Sequence, residues 1–470
     1  MALKTKTIAA HTLGCKVNQL ETESLLEVFR TAGYRVVNFD TPADIYLINT
    51  CTITHLGDRK SRQMIRRAQR CNPEAMIVVT GCYAQRSPEA VQKIPGVSLI
   101  WGNQDRAEIV NWVEQLFAQK SANLQVEDQT EVGLEALIRV KDIRQAQVFE
   151  ELPLALERDR TRALVKVEDG CSQFCSYCIV PYTRGPVRSR PAERVVEETI
   201  RLVEAGYQEV VLTGIHTSAY GKEWRYGGDT PNLATLIQKI LEAVPALPRL
   251  RISSIEPTEM PERLLEIMSQ SKVICRHLHI PLQSGDDEIL RQMRRPYTTA
   301  QYAALIQRLR RKISGVAVTT DIMVGFPGET EQHFNRSFNF IYELGFSDLH
   351  VFKYSPRQGT LAAALPNQVA APDKEARSQQ LIALAHDLRQ RFAASFVGQT
   401  LEVLLEEETT IPKESNWLPE RDMKTAFWGG YTDNYIRVAV PVVEKARLSG
   451  RFVPVLLVDS QADLVLGKII

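Results

Sequence analysis

No stretch of this chain is apolar and long enough to cross a bilayer, so a helical membrane span is excluded. Residues Met1 to Lys16 lack the hydrophobic segment of an export signal, so no secretion is expected. Net charge is scarce too. Lys and Arg number 57 against 56 Asp and Glu, a balance of +1, so the chain as a whole announces no nucleic-acid partner. Cysteine is sparse, 8 in 470 residues, which excludes a disulfide scaffold. Six of the eight cysteines can be assigned to metal, which points to a reducing, cytoplasmic setting. The rest of the composition, 44% hydrophobic and 24% charged, is that of a soluble globular protein, and the length suggests about three domains.

The most informative feature is GCSQFCSYCI at residues 170–179, which sets Cys171, Cys175 and Cys178 at C-x3-C-x2-C spacing. Three thiolates this close can hold three irons of a four-iron–four-sulfur cubane and leave the fourth iron open to a small molecule. The alternatives are half a zinc site or three packed thiols. Structural zinc usually closes with a fourth Cys or His, and neither follows Cys178 until His216.

Further upstream, three apolar runs of β-forming residues each end in one cysteine: residues 7–15 at Cys15, 44–51 at Cys51 and 76–82 at Cys82. Helix-like sequence follows each run, at 21–32, 58–70 and 88–93. This alternation predicts a parallel sheet whose strand ends lie along one edge, where ligands bind. Each cysteine alone reads equally as a small core residue. Their shared position in a repeated unit favours a common metal site. Cys71 and Cys275 lack that position and are expected to be structural.

From about residue 158 the alternation restarts with longer units. Strands are expected at 163–168, 209–214, 249–254, 277–282, 317–324 and 348–354, with helices between them. Six such units make an open (βα) barrel, with chemistry at the C-terminal strand ends. Gly214, Ser254, Glu256, Gln283 and Asp321 occupy such ends, although turn glycines and helix caps look the same. His277 and His279 share one strand face, which suits a packed role as well as a catalytic one. Residues 98–157 read as a hinge, with helices suggested from Trp101 to Lys120 and then a polar stretch of little periodicity. The last stretch, after residue 396, reads as a small β-barrel of short strands.

Two local basic stretches offset the neutral whole. Residues 57–71 carry six Lys or Arg against one Asp, with Arg59, Arg62, Arg66 and Arg70 on one helical face. Residues 158–194 hold eight against four. Either stretch suits RNA or plain solvation.

The run CSYCIVPYTRGPVRSR at 175–190 resembles the radical S-adenosylmethionine (SAM) superfamily and, within it, the methylthiotransferases. HTLGCKVNQLE at 11–21, NTCTIT at 49–54 and TGCYAQ at 80–85 are similar to that family's N-terminal domain, and GGYTDNY at 429–435 resembles its TRAM domain, an RNA-binding module. The resemblance runs essentially end to end. It implies an α/β fold with a methylthiotransferase N-terminal domain at 1–120, a linker at 121–157, a radical SAM partial barrel at 158–396 and a TRAM β-barrel at 397–470. It also implies two 4Fe-4S clusters. Cys171, Cys175 and Cys178 would hold the one that chelates SAM and yields a 5′-deoxyadenosyl radical, while Cys15, Cys51 and Cys82 would hold an auxiliary one that handles sulfur.

Tyr177, Gly214, Ser254, Glu256, Gln283 and Asp321 are the implied SAM contacts; no catalytic side chain is singled out. The implied partners are the anticodon stem-loop of tRNA and an electron donor such as a flavodoxin or ferredoxin, with no membrane. HTLGCKVNQ looks like the branch that adds a methylthio group to C2 of N6-threonylcarbamoyladenosine at position 37. Branches acting on isopentenyladenosine or on a ribosomal-protein aspartate share the fold. A non-catalytic iron–sulfur RNA-binding sensor is the rival of another class. One feature resists: residues 398–470 hold eight Lys or Arg against eleven Asp or Glu, which is the wrong sign for RNA. Tyr431 and Tyr435 could stack on bases, and Lys424, Arg437, Lys445, Arg447 and Arg451 could form a patch. The stretch 411–427 has no assigned role.

Overall fold

Apolar runs at the start of the chain become strands β1 (Thr7–Thr12), β2 (Arg35–Val36), β3 (Ile45–Thr50), β4 (Met76–Gly81), β5 (Val97–Trp101) and β6 (Leu137–Arg139). All pair in parallel, in the order β2-β1-β3-β4-β5-β6. Every residue of β3 and β4 is buried, as expected for strands covered on both faces. Alternate residues serve two cores: Tyr46, Ile48, Ile77 and Val79 pack on one face, and Ile45, Leu47, Met76 and Val78 on the other. The crossovers include helices α1 (Lys16–Thr31), α2 (His55–Cys71) and the short α3 (Cys82–Arg86). α2 starts where the Thr54 hydroxyl accepts from the Gly57 amide, and Asp58 complements the first turn.

The computed structural model describes residues 5–123, 136–156, 161–224, 231–411, 426–442, 448–461 and 463–470. These divide into two compact units, one of residues 1–156, 168–190 and 355–363, the other of 157–167, 191–354 and 364–470. The hinge expected at 98–157 is corrected, although helix is found where Trp101 to Lys120 suggested it. That stretch supplies most of β5, a helix at Ile109–Asn123 and β6, with Leu99, Ile100 and Trp101 paired to Leu137, Ile138 and Arg139. A three-residue strand is too short for periodicity to betray.

In the second unit β7 (Arg162–Lys166) begins a new parallel array. β8 (Glu168–Asp169) and β9 (Arg188–Ser189) pair antiparallel in the first unit and enclose the Cys171–Cys178 loop. The array continues through β10 (Glu209–Thr213), β11 (Leu250–Ile252), β12 (His277–His279), β13 (Ala317–Val324) and β14 (Asp348–Lys353). Two three-stranded sheets, β7-β10-β11 and β12-β13-β14, are joined by parallel bridges Leu250↔Ile274 and Ser254↔His279. Six sequential parallel strands with helical crossovers make the expected partial barrel. Capping boxes at Asn232, Thr298 and Thr330 start three of those helices.

After the helix Ala371–Ala394 the chain closes a barrel of β15 (Thr400–Thr409), β16 (Ala426–Thr432), β17 (Arg437–Val442), β18 (Arg451–Gln461) and β19 (Leu464–Ile469), in the order β15-β16-β17-β19-β18. Val403, Leu405, Val438, Val440, Val455 and Leu457 fill it. Closure leaves no free sheet edge. Residues 412–425, most of the unassigned stretch, and Lys424, Lys445 and Arg447 of the conjectured patch lie outside the described residues.

The base-stacking role of Tyr431 and Tyr435 is also corrected. The two rings stack on each other at 5.0 Å, and Tyr435 stacks on His277 at 4.7 Å. The guanidinium of Arg251 lies 4.5 Å from the Tyr435 ring centre, and Arg276 pairs with Asp433 at 2.6 Å. Arg251, Arg276 and His277 stand at the starts of barrel strands, so this turn packs against the N-terminal end of the partial barrel. Ring faces already engaged by protein are not a platform for bases.

Candidate functional site

Strand order β2-β1-β3 reverses the winding of the first sheet between β1 and β3, which opens a crevice beyond their carboxyl ends. Cys15 follows β1, Cys51 follows β3, and Cys82 follows β4 as the first residue of α3. Glycine sets two of these turns. Gly14 has φ +108 and Gly81 φ +92, values that side-chain-bearing residues rarely adopt. A Cβ on Gly14 would lie 3.3 Å from Cys51 Sγ, and one on Gly81 would lie 2.5 Å from the Thr50 carbonyl oxygen. The three cysteines are near enough to perturb one another electrostatically. Buried Asn18 ties the strand ends together, donating to the Leu13 carbonyl at 2.7 Å and the Thr50 carbonyl at 3.1 Å.

The Cys171–Cys178 loop uses the same device. Gly170 has φ +89, and a Cβ there would lie 1.9 Å from the Pro186 carbonyl oxygen. Phe174, between Cys171 and Cys175, holds φ +49 without being glycine. Local strain of that kind is found where a loop is shaped for function. The Cys171 amide donates to Gly185 O at 2.9 Å and the Cys178 amide to Cys175 O at 3.0 Å.

No disulfide joins any of the eight cysteines. Burial pushes the Cys51 thiol up to about 11, with the neighbouring Cys82 adding to it, and burial likewise raises Cys171. Both thiols hold their protons at neutral pH until a metal displaces them. Two soft all-sulfur donor sets, each of three, suit iron–sulfur chemistry. Cys71 packs against one sheet core, and Cys275 is fully buried in the second unit.

Sequence reasoning missed the groups around these thiols. Arg184, 1% exposed, donates from Nε to Cys82 Sγ at 3.4 Å and from Nη1 to Glu21 Oε1 at 2.6 Å. Its Nη2 also donates to Asn18 Oδ1, and Asp169 Oδ2 lies 3.6 Å from Nη1. Burial alone would lower this guanidinium's pKa, but Cys82, Glu21 and Asp169 hold it well above its ordinary value. Arg106, equally buried, shares Glu21 at 2.7 Å and pairs with Glu150 at 2.8 Å. Segment 355–363 belongs to the same unit. Arg357 pairs with Asp58 at 2.8 Å and donates to Thr52 Oγ1 at 2.6 Å, next to Cys51, while the Ala362 amide donates to Ser176 O at 2.8 Å.

Tyr177 is half-buried between Cys175 and Cys178. In the second unit, Gly214 follows β10 and Ser254 bridges to His279. Glu256 is already paired with buried Arg295, which also reaches Tyr297 Oη at 3.0 Å. Gln283 holds φ +68, a strained value for this residue, while bridging to Ile322. Asp321 Oδ1 lies 3.3 Å from both His279 Nε2 and His350 Nδ1. Burial would raise that carboxyl, yet these imidazoles hold it well below the usual carboxylate range. His277 and His279 do face one side, and both meet Thr319 Oγ1, at 3.1 and 3.0 Å.

On α2, Ile65 and Ala68 are buried, while Arg59, Arg62, Gln63, Arg66 and Arg70 line a groove of about 360 Å³. Among the described residues no helix is long and apolar enough to cross a membrane.

Residues 165–341 match the Radical SAM superfamily, and residues 7–102 match the family described as "Uncharacterized protein family UPF0004". The threonylcarbamoyladenosine tRNA methylthiotransferase MtaB of Bacillus subtilis (strain 168) is 43% identical over 92% of this chain and 90% of its own length. A tRNA-2-methylthio-N(6)-dimethylallyladenosine synthase of Pelotomaculum thermopropionicum is 34% identical over 93% and 94%. Among solved structures, the radical S-adenosylmethionine methyltransferase TsrM of Kitasatospora setae aligns with TM-score 0.51 and 16% identity over 75% of this chain and 77% of that one, a likeness of fold.

Proposed function

The chain belongs to the radical SAM methylthiotransferases, and from that premise we propose that it adds a methylthio group to C2 of N6-threonylcarbamoyladenosine at position 37 of tRNA. The observation that carries this reading is the meeting of both cysteine sets in one compact unit, with Arg184 touching Cys82 and standing near Asp169, two residues before Cys171. Sulfur insertion needs a sulfur site and a radical source within reach of one carbon. The substrate branch follows the 43%-identical relative.

In this reading Cys171, Cys175 and Cys178 hold one 4Fe-4S cluster, and Cys15, Cys51 and Cys82 a second. When bound, the clusters and SAM supply an electron, a methyl group and sulfur. The protein's part is to bind, orient and enclose. Tyr177, Gly214, Ser254, Glu256, Gln283 and Asp321 are assigned to SAM, with Arg295 orienting Glu256. The Arg59–Arg70 face of α2 takes the phosphate backbone of the anticodon stem-loop, since the C-terminal barrel segment has the wrong charge. A flavodoxin or ferredoxin as reductant, a cytoplasmic setting and the division 1–120, 121–157, 158–396 and 397–470, in which the 121–157 segment lends β6 to the first sheet, belong to the same reading. Mass spectrometry of tRNA nucleosides from a deletion strain tests it. Loss of methylthio-threonylcarbamoyladenosine is expected, and its unchanged presence would end the substrate assignment.

A further inference from the structure

We propose that Arg184 is a positioning residue for the cluster of Cys15, Cys51 and Cys82, its Nε–H donating to the Cys82 sulfur and so making that cluster easier to reduce. The inference rests on reading those cysteines as cluster ligands. Hydrogen bonds to ligating sulfurs are among the terms that set iron–sulfur potentials, and a charged donor makes a stronger bond than a neutral one. Arg184 is built for that task. It ends the helix Val180–Arg184, just past Cys178, and its side chain is 1% exposed.

Its five N–H groups are directed by partners of fixed position. Glu21 takes the fork at 2.6 and 3.1 Å, and Asn18 takes another N–H. Both belong to α1, the helix that starts directly after Cys15. The Nε–H is left for Cys82, 3.4 Å away. Glu21 is itself held by Arg106, and Asp169 lies between Arg184 and Arg188 at 3.6 and 3.4 Å. An arginine serving only as a structural tie between Glu21 and Asp169 would not need its third edge on a thiol. Because the same residue sits on the chain segment leaving the other cysteine set, a single side chain fixes the auxiliary sulfur relative to that loop.

The test uses full-length protein with Cys171, Cys175 and Cys178 changed to Ala, so that only one cluster can assemble. Glu21→Gln serves as parent, because it spares the Arg184-free variant a buried carboxylate that has lost one of its two arginines. Midpoint potentials are read by electron paramagnetic resonance during anaerobic dithionite titration, a one-electron reduction in which no bond is made or broken. Arg184→Met in the Glu21→Gln parent should be harder to reduce, by about tenfold in the equilibrium, or 59 mV for one electron. Arg106→Gln, which also loses a Glu21 partner but does not touch Cys82, should leave the potential unchanged.

Equal potentials with and without Arg184 would overturn the proposal. Should Arg184→Met fold but hold no iron, Arg184→Lys must restore both iron and an intermediate potential; failure to do so would count against the donor role. A Glu21→Gln parent that is folded yet empty of iron and sulfide would instead sink the cluster assignment itself.

Discussion

The two cysteine sets, read here as two cluster sites, are specified by opposite kinds of information. Cys171, Cys175 and Cys178 fall within one short loop, whereas Cys15, Cys51 and Cys82 belong to three strand–helix units and meet only because the sheet orders β1, β3 and β4 side by side. A loop of the first kind depends on local turns. A set of the second kind depends on the register of a whole sheet, so it should fail first when the sheet is disturbed. Gly81→Ala applies that disturbance. The new Cβ would lie 2.3 Å from Asn49 Oδ1 and 2.5 Å from Thr50 O, on a backbone with φ +92. The backbone strain alone should cost about 1–3 kcal/mol, and the clash adds to it. Iron at Cys15, Cys51 and Cys82 should be lost, while 5′-deoxyadenosine formation from SAM and dithionite persists. Equal loss of both activities would erase the distinction between the sets.

Arg357→Met offers a milder way to separate them. Arg357 and Asp58 are both buried, and their pair braces the turn after Cys51. Removing one partner of a buried pair typically costs about 3–5 kcal/mol because the other charge is left uncompensated. We expect about 3 kcal/mol in urea unfolding, since Thr52 remains near Asp58, and a partial loss of auxiliary iron. Asp58→Asn combined with Arg357→Met should recover part of the stability. If the double variant is worse than the single, the pair is not the brace described.

How much of this was legible in the sequence follows from the same contrast. The Cys171 loop and the six barrel strands were readable because local spacing and hydrophobic alternation specify them. The convergence of Cys15, Cys51 and Cys82 was readable only as a repeated strand-end position, since a sheet order such as β2-β1-β3 is a tertiary fact. Arg184 and Arg357 were invisible as partners. Arg184 stands in a motif read for its cysteines and Arg357 in none, and the contacts of each span more than a hundred residues of chain. β6 was missed because three residues carry no period, and the Tyr431–Tyr435 turn was misread because stacking on His277 and stacking on a base demand the same aromatic residues.

Charge sharpens the comparison further, because α2 begins near Cys51 and carries the basic face. Arg66 and Arg70 line its groove and have no partner among the described residues. Changing both to Gln should remove about two phosphate contacts, lowering the slope of log affinity against log salt by roughly 1.4–1.8. Filter binding of anticodon stem-loop RNA at several salt concentrations measures this. Affinity should fall on the order of tenfold at low salt, with both iron contents unchanged. An unaltered slope would move the RNA contact elsewhere.

The smallest effect is expected where the second unit is tested against the first. Asp321 is held by His279 and His350, and a neutral Asn there would lose charge-assisted bonds worth roughly 1 kcal/mol at this partly exposed site. The sign of the pH dependence follows from the lowered carboxyl. Its stabilisation is fully present above the ordinary carboxylate value of about 3.9 and is lost as pH falls through the depressed native value. Wild type should therefore lose stability more steeply than Asp321→Asn below about pH 4, and the two unfolding curves should approach each other in acid. Both iron contents at neutral pH should match wild type, because β13, which carries Asp321, contributes no thiol to either set. Parallel acid curves would mean that Asp321 gains nothing from its two imidazoles in the folded state. Loss of iron on this substitution would mean that at least one set depends on the second unit's strand ends, so that the opposition of local loop and assembled sheet is incomplete.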